Sequence, residues 1–275
     1  MKICLTTLGC PTWDLDTVCR KGREYNFDGI DFRGLQDELD VTLLPEFTTG
    51  IAETKQKISD AGLEVSGIAS GIVVCVPEVR EKNVEEAKRT IAVAHDLGCQ
   101  NIRVFGNGDL DRFTRQELVK IGLDCIEEIL VLDGAEEMRW LFETHDNWIQ
   151  SQDCQLLLDN IDHPAFGVLW DIGHTTRVGG ESPQETYRAL GNRIGHTHIK
   201  DAVYDPAHEQ AMKDGWHYVL PGTGQLPLAE ALSLLKQHGY DGWVLFEHEK
   251  RWHPHLPEPE IIFPVFVEWI RPLIA

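Results

Sequence analysis

Four apolar runs in the second half of the chain end in acids and histidines rather than in turn residues. The runs end in FETHD (142–146), WDIGH (170–174), HTHIKD (196–201) and FEHEK (246–250). Carboxylates and imidazoles are the side chains that most often transfer protons and bind hard divalent cations. These segments can form one site only if the fold brings their ends together.

A regular alternation of two kinds of segment runs along the whole chain. Short runs rich in β-branched and aromatic residues predict strands at 2–9, 29–34, 63–70, 101–107, 139–145, 166–174, 193–201 and 243–249. Stretches with apolar residues at three- and four-residue steps predict helices at 14–26, 50–62, 83–98, 114–130, 147–162, 182–193 and 226–239. Strand then helix, repeated eight times in 275 residues, predicts an α/β fold: a (β/α)₈ TIM barrel. An open doubly wound sheet is the alternative, because periodicity does not reveal closure.

One domain is expected over 1–275, because no linker, repeat or low-complexity tract divides the chain. The Pro-rich and then aromatic tail predicts a loop followed by a helical extension that packs on the barrel. The same tail could contribute to a homo-oligomer contact.

The charge balance bears on possible partners. The chain has 45 acidic and 25 basic residues, a formal net charge of -20, which repels nucleic acid and anionic lipid surfaces. We therefore expect neither as a partner. Seven scattered cysteines without a C-x-x-C pair, and no apolar run long enough for a signal or membrane segment, predict a cytoplasmic protein.

In a TIM barrel the site forms at the carboxyl ends of the strands, where these polar endings would converge. Alternation along the strands lets one inward-facing set supply two glutamates, one aspartate and one histidine. Three clustered carboxylates repel one another unless a cation neutralises them. Such an oxygen-rich set with one nitrogen suits one divalent ion, Mn²⁺, Mg²⁺, Co²⁺ or Zn²⁺.

The stretches FETH, WDIGHT, HTHIKD and LFEHE resemble the xylose isomerase-like barrel superfamily of sugar isomerases and epimerases, in the same order and on the same strands. By position, the resemblance implies Glu143, Asp171, His198 and Glu247 as metal ligands. It also implies that Glu143 and Glu247 are the catalytic acid-base residues.

The leading functional hypothesis is a metal-dependent isomerase or epimerase of a ketose or related polyol ketone, acting through an enediolate. The alternative is a dehydratase or lyase acting on a cyclitol or a dehydroshikimate-like hydroxyketone. An endonuclease IV-like hydrolase is disfavoured by the net charge. A barrel that binds a sugar without converting it is a further alternative.

Candidate substrate-binding residues lie at the strand ends or just beyond them: His174, Arg103, His145, Trp13 and Lys200. The alternative to a metal site is a purely structural role, in which Glu143, Asp171, His198 and Glu247 form buried salt bridges with Arg103, Lys200 and Arg33. The long segment between His198 and Glu247 is expected to cover the site. Lys250, Arg251 and His253 add cations that could bind an acidic substrate.

Overall fold

Eight parallel strands close into a barrel in a computed structural model that describes all 275 residues. The barrel strands are β1 (Lys2–Thr6), β2 (Gly29–Phe32), β3 (Glu64–Val73), β4 (Asn101–Phe105), β5 (Arg139–Glu143), β6 (Phe166–Asp171), β7 (Ile194–Ile199) and β10 (Trp243–Phe246). They follow one another around the barrel in chain order, and β10 pairs with β1 to close it. The predicted TIM barrel is confirmed, and the open sheet is excluded.

Nine α-helices accompany the sheet: α1 (Leu15–Glu24), α2 (Ile51–Asp60), α3 (Arg80–Leu97), α4 (Arg115–Leu130), α5 (Ser151–Asn160), α6 (Ile172–Arg177), α7 (Pro183–Leu190), α8 (Leu228–Gln237) and α9 (Pro259–Ile274). Local sequence explains several of their ends. Thr114 and Ser182 each form a capping box with the glutamate three residues later, and α3 ends at Gly98 with a φ of 76°. None of the helices combines the length and apolar character needed to cross a lipid bilayer.

Side chains inside the barrel fill its amino-terminal end. Cys4, Trp243 and Leu245 form a small buried cluster there, separate from the main core between sheet and helices. Gly29 makes room for the Trp243 indole, since a Cβ at Gly29 would lie 2.7 Å from that ring. With this end filled, the carboxyl ends of the strands form the mouth where polar groups collect.

All four predicted site strands are shorter than expected. β5 ends at Glu143, β7 at Ile199 and β10 at Phe246, while β6 ends at Asp171 instead of residue 174. The Asp171 carboxylate accepts a hydrogen bond from the His174 backbone N–H at 2.9 Å and so starts α6. The prediction of a strand over 172–174 is therefore wrong, and His174 lies on a helix.

The long segment after β7 contains an antiparallel hairpin that the sequence did not predict. Its strands are β8 (Asp201–Tyr204) and β9 (Trp216–Val219). Asp201 holds its base by accepting hydrogen bonds from the backbone N–H groups of Gly222 and Gly224. Arg177 on α6 forms an ion pair with Asp214 in the hairpin turn. The hairpin is thus tied to the barrel at both ends.

Candidate metal centre

Four strand ends bring Glu143, Asp171, His198 and Glu247 together in the mouth of the barrel. One ligand atom from each residue lies within 4.8 Å of all the others. His198 is paired in register with Asp171 on one side and with Leu245 on the other. The Glu247 N–H donates to the Ile199 carbonyl at 2.9 Å, so β7 pairing continues one residue beyond β10 and places this glutamate in the cluster.

The donor atoms of this cluster are buried and poorly satisfied. Glu143 Oε1, Asp171 Oδ2 and both ring nitrogens of His198 have no aligned hydrogen-bond partner. His198 Nδ1 lies 3.4 Å from Glu143 Oε1 and 3.2 Å from Glu247 Oε1. Buried polar atoms are normally paired, so three carboxylates and an imidazole facing a common centre fit a cation.

The charges of the cluster are strongly coupled when no metal is bound. Burial alone would raise the pKa of Glu143, but His198 and Arg103 hold it well below the usual range. Glu247 behaves in the same way, because Lys200 and His198 outweigh burial and lower its pKa. Burial disfavours the imidazolium of His198, yet Glu247 and Glu143 raise its pKa to about 10. The metal-free site therefore keeps His198 protonated at neutral pH.

Lys200 is the cation at the centre of the acidic cluster. Its Nζ lies 2.8 Å from Asp171 Oδ2 and 2.9 Å from Glu249 Oε1, and it also contacts Glu247. Burial lowers the pKa of this ammonium, but the surrounding carboxylates raise it well above its ordinary value. The expected salt bridges to Lys200 and Arg103 are therefore present, and Lys200 pairs with Asp171 Oδ2, one of the candidate ligand atoms, whereas Glu143 Oε1 and the His198 ring nitrogens have no ammonium or guanidinium partner. No carboxylate lies within salt-bridge distance of Arg33.

His174 and His145 lie beside the cluster. His174 Nδ1 is 3.2 Å from Asp171 Oδ2, and the His145 ring centre is 4.6 Å from that of His174. Asp146, which has a φ of 52°, places Oδ1 2.8 Å from His145 Nδ1. Glu143, His145 and His174 form a second group that could hold a metal ion.

Trp13 is buried against α9. It packs edge-on against Phe263 with ring centres 5.9 Å apart, and its Nε1 donates to Glu260 at 3.2 Å. It therefore contributes to the contact between the barrel and α9, and its role as a substrate ligand stays a prediction.

Two of the three cations expected to bind an acidic substrate after β10 already have protein partners. Lys250 contacts the Leu256 carbonyl and Glu258, while Arg251 donates to the Asp37 carbonyl. Both residues fasten loops around the mouth.

Sequence analysis gave no role to Glu249 or Tyr218. The Tyr218 hydroxyl donates to Glu249 Oε1 at 2.8 Å, and Glu249 holds Lys200. A cavity of about 320 Å³ opens beside these three residues and Glu247. Glu249 could have been found from the sequence, because it alternates with Glu247 and so shares its face. The sequence gives no such signal for Tyr218, because the position of Tyr218 depends on how the hairpin folds back.

A family model described as "Xylose isomerase-like TIM barrel" matches residues 19–271. The chain belongs to this family. A curated relative, the inosose dehydratase of Bacillus thuringiensis (strain Al Hakam), is 27% identical over 203 residues, which cover 65% of this chain. The match spans 66% of that dehydratase, just under two thirds of its length.

Two solved structures show how widely this xylose isomerase-like fold is shared. A probable 3-DHS dehydratase from Bacillus anthracis has a TM-score of 0.79 at 20% identity, with 98% of each chain covered. A structure of the IOLI protein "with a binding zinc atom" has a TM-score of 0.78 at 17% identity, covering all of this chain and 98% of the other. At these identities the likeness establishes the fold.

Proposed function

We propose that this protein is a divalent-metal-dependent dehydratase of a polyhydroxylated ketone. The observation that carries the proposal is the convergence of Glu143, Asp171, His198 and Glu247, with unsatisfied buried donor atoms, at the mouth of the barrel. The curated relative named as an inosose dehydratase supports a lyase, and the zinc atom bound by a protein of the same fold supports a metal-dependent enzyme.

Those four residues would hold the ion, and their hard oxygen-rich set suits Mn²⁺, Mg²⁺, Co²⁺ or Zn²⁺. A bound divalent ion would polarise the substrate carbonyl and make the proton on the neighbouring carbon easier to remove. The other parts of the reaction fall to side chains of this chain.

Glu143 and Glu247 are the proposed proton-transfer residues. One glutamate takes the proton from the carbon beside the carbonyl, and the electrons of that C–H bond form the new C=C bond. The C–O bond on the next carbon breaks, and its oxygen leaves as water after it gains a proton. Hydroxide is a poor leaving group, so an acid is needed, and the other glutamate, in its protonated form, is the proposed proton donor.

Epimerisation of a ketose is the second candidate function. It is favoured by the presence of two glutamates, which reach the same His198 nitrogen from different strands. An epimerase needs a base on one face of a carbon and an acid on the other, and it releases no water.

The test uses metal-loaded protein with a panel of ketoses and keto-cyclitols in D₂O. Dehydration predicts loss of water by mass and a conjugated product that absorbs ultraviolet light. Epimerisation predicts deuterium at an inverted carbon without that absorbance, and a binding protein predicts no exchange.

Glu247→Gln should lose both the bound metal and the deuterium exchange. The control is Glu258→Gln, at an exposed glutamate that pairs with Lys250, and it should retain both. Unchanged exchange in Glu247→Gln would remove this glutamate from proton transfer.

A further inference from the structure

Two arginines come from the strands that flank β3 in the barrel. Ile68 in β3 is paired in register with Phe32 on one side and Ile102 on the other. One position further on, Ala69 pairs with Arg103, and Arg33 directly follows Phe32 at the end of β2. Neighbouring strands lie about 4.8 Å apart, so β2 and β4, on the two sides of β3, are roughly 10 Å apart.

Alternation turns Arg103 toward the inside of the barrel, because the preceding Ile102 belongs to the main core between sheet and helices. Arg33 lies beyond the last paired residue of β2, and its guanidinium is close enough to Arg103, Glu143 and Asp31 to be affected by their charges. Ala69, which pairs with Arg103, has only a methyl side chain. The Arg33 backbone is fixed, because its N–H donates to Thr7 Oγ1 at 2.9 Å.

Both guanidinium groups are short of partners. The Arg103 side chain donates no hydrogen bond within the protein, its buried Nε has no partner, and its nearest carboxylate oxygen is Glu143 Oε2 at 3.4 Å. The Arg33 guanidinium donates once, to the Leu39 carbonyl at 3.3 Å. Each guanidinium carries five N–H donors, and buried donors are normally satisfied.

The nearby acids do not neutralise Arg33. Glu86, Glu143 and Asp31 all influence it, yet none of them lies within salt-bridge distance. Glu86 accepts the Gly71 N–H instead. Burial, opposed in part by His198 and Arg103, raises the pKa of Asp31 to about 6, and no hydrogen bond or salt bridge joins this carboxyl to Arg33. Burial and then Arg103 lower the pKa of Arg33 to about 10, as expected for like charges placed together.

We propose that Arg33 and Arg103 together bind a carboxylate of the substrate at the mouth of the barrel. The planar fork of a guanidinium matches the two oxygens of a carboxylate, and an anion between the two arginines removes their mutual repulsion. Because Arg103 also approaches Glu143, this anion site adjoins the metal ligands. If the protein has the proposed function, its substrate is then a hydroxyketone acid rather than a neutral sugar or cyclitol.

The experiment compares shikimate with its methyl ester, which differ in the negative charge, by titration calorimetry on the full chain with metal. The wild type should bind the acid at least tenfold more tightly than the ester. Arg33→Met should abolish this preference without weakening the ester, and Arg33→Lys should keep part of it. Arg112→Met is the matched control, since Arg112 is exposed and pairs with Glu78.

Equal binding of acid and ester by the wild type, or an unchanged preference in Arg33→Met, would overturn the proposal. Displacement by inorganic phosphate at concentrations where acetate has no effect would assign the site to a phosphate instead. Unchanged ester affinity in Arg33→Met shows that the variant is folded.

Metal content and deuterium exchange over neutral ketones, measured on the same samples, separate this proposal from the proposed function. Exchange without a preference for the acid would leave the enzyme assignment intact and remove the carboxylate site. A preference for the acid without deuterium exchange on any ketone would support the carboxylate site and remove the proposed enzymatic function.

Discussion

Replacing Lys200 by methionine should destabilise the metal-free protein strongly. The Lys200 side chain is only 3% exposed, and it contacts Asp171, which is fully buried, as well as Glu247 and Glu249. Methionine retains much of the packing but removes the only ammonium among these acids. Breaking a buried ion pair by removing one partner costs about 3–5 kcal/mol, because the remaining charge is uncompensated.

This cost corresponds to a measurable change in melting temperature. Unfolding entropy is about 2.1 cal/mol/K per residue, which for this chain gives roughly 0.6 kcal/mol/K, so Tm should fall by about 5–9 °C. Thermal unfolding and urea unfolding in EDTA would measure the change. Lys2→Met is the control: Lys2 is exposed and pairs with exposed Glu64, so the expected loss stays below about 1 kcal/mol.

Two further measurements show whether charge is the cause. Adding Glu249→Gln to Lys200→Met removes one uncompensated carboxylate and should recover part of the lost stability. A divalent ion should stabilise Lys200→Met more than the wild type, because it replaces the missing positive charge. Equal unfolding free energies of wild type and Lys200→Met in EDTA would refute the electrostatic role assigned to Lys200.

Three other perturbations give distinct outcomes. Replacing a residue that only supports a metal ligand typically weakens metal binding by roughly 10–100-fold. Glu249→Gln should lose affinity within this range, whereas Glu247→Gln, which removes a proposed ligand, should lose more. Titration calorimetry with the metal would measure both losses. Burial disfavours the His198 imidazolium, but Glu247 and Glu143 raise its folded-state pKa to about 10. Because an imidazolium cannot bind a metal, the apparent metal affinity should rise about tenfold per pH unit between roughly pH 6.5 and 8.5. One proton should be released for each ion bound. A metal affinity that does not change with pH would contradict this prediction. The same raised pKa stabilises the metal-free fold fully below about pH 6.5, and this contribution is lost as pH rises through about 10. Gly106→Ala should lower stability by about 1–3 kcal/mol through overpacking, since a Cβ there would lie 2.2 Å from the buried Trp148 ring, and a melting temperature equal to that of wild type would show that the ring can move.

The fold was predictable because its signals are local. Strand and helix patterns alternate along the chain, and the eight predicted strands are the eight strands of the barrel. The strand ends were harder to predict, since Asp171 ends β6 by capping α6 and a single side-chain hydrogen bond decides that transition. The hairpin was also missed, because its two strands pair with each other across a turn of irregular sequence.

The residues Glu143, Asp171, His198 and Glu247 could be proposed from sequence, because each one ends or follows a strand that every closed parallel barrel directs to the same mouth. Their roles in catalysis stay predictions. Trp13 has the same kind of position along the chain, and its ring packs edge-on against Phe263 of α9. Nearness to a strand end therefore predicts the rim of the barrel, but it does not predict the direction of a side chain beyond the last paired residue.

The amino-acid sequence by itself determined the order of the elements and the chemical types at the strand ends, because hydrophobic periodicity and residue identity are local properties. The tertiary structure alone decided that Lys200 lies among three acids and that Arg33 and Arg103 come from the strands on either side of β3. Those relations depend on strand register and barrel closure, which pair residues far apart in the chain. A register shifted by one residue would turn each of these side chains to the opposite face of the sheet.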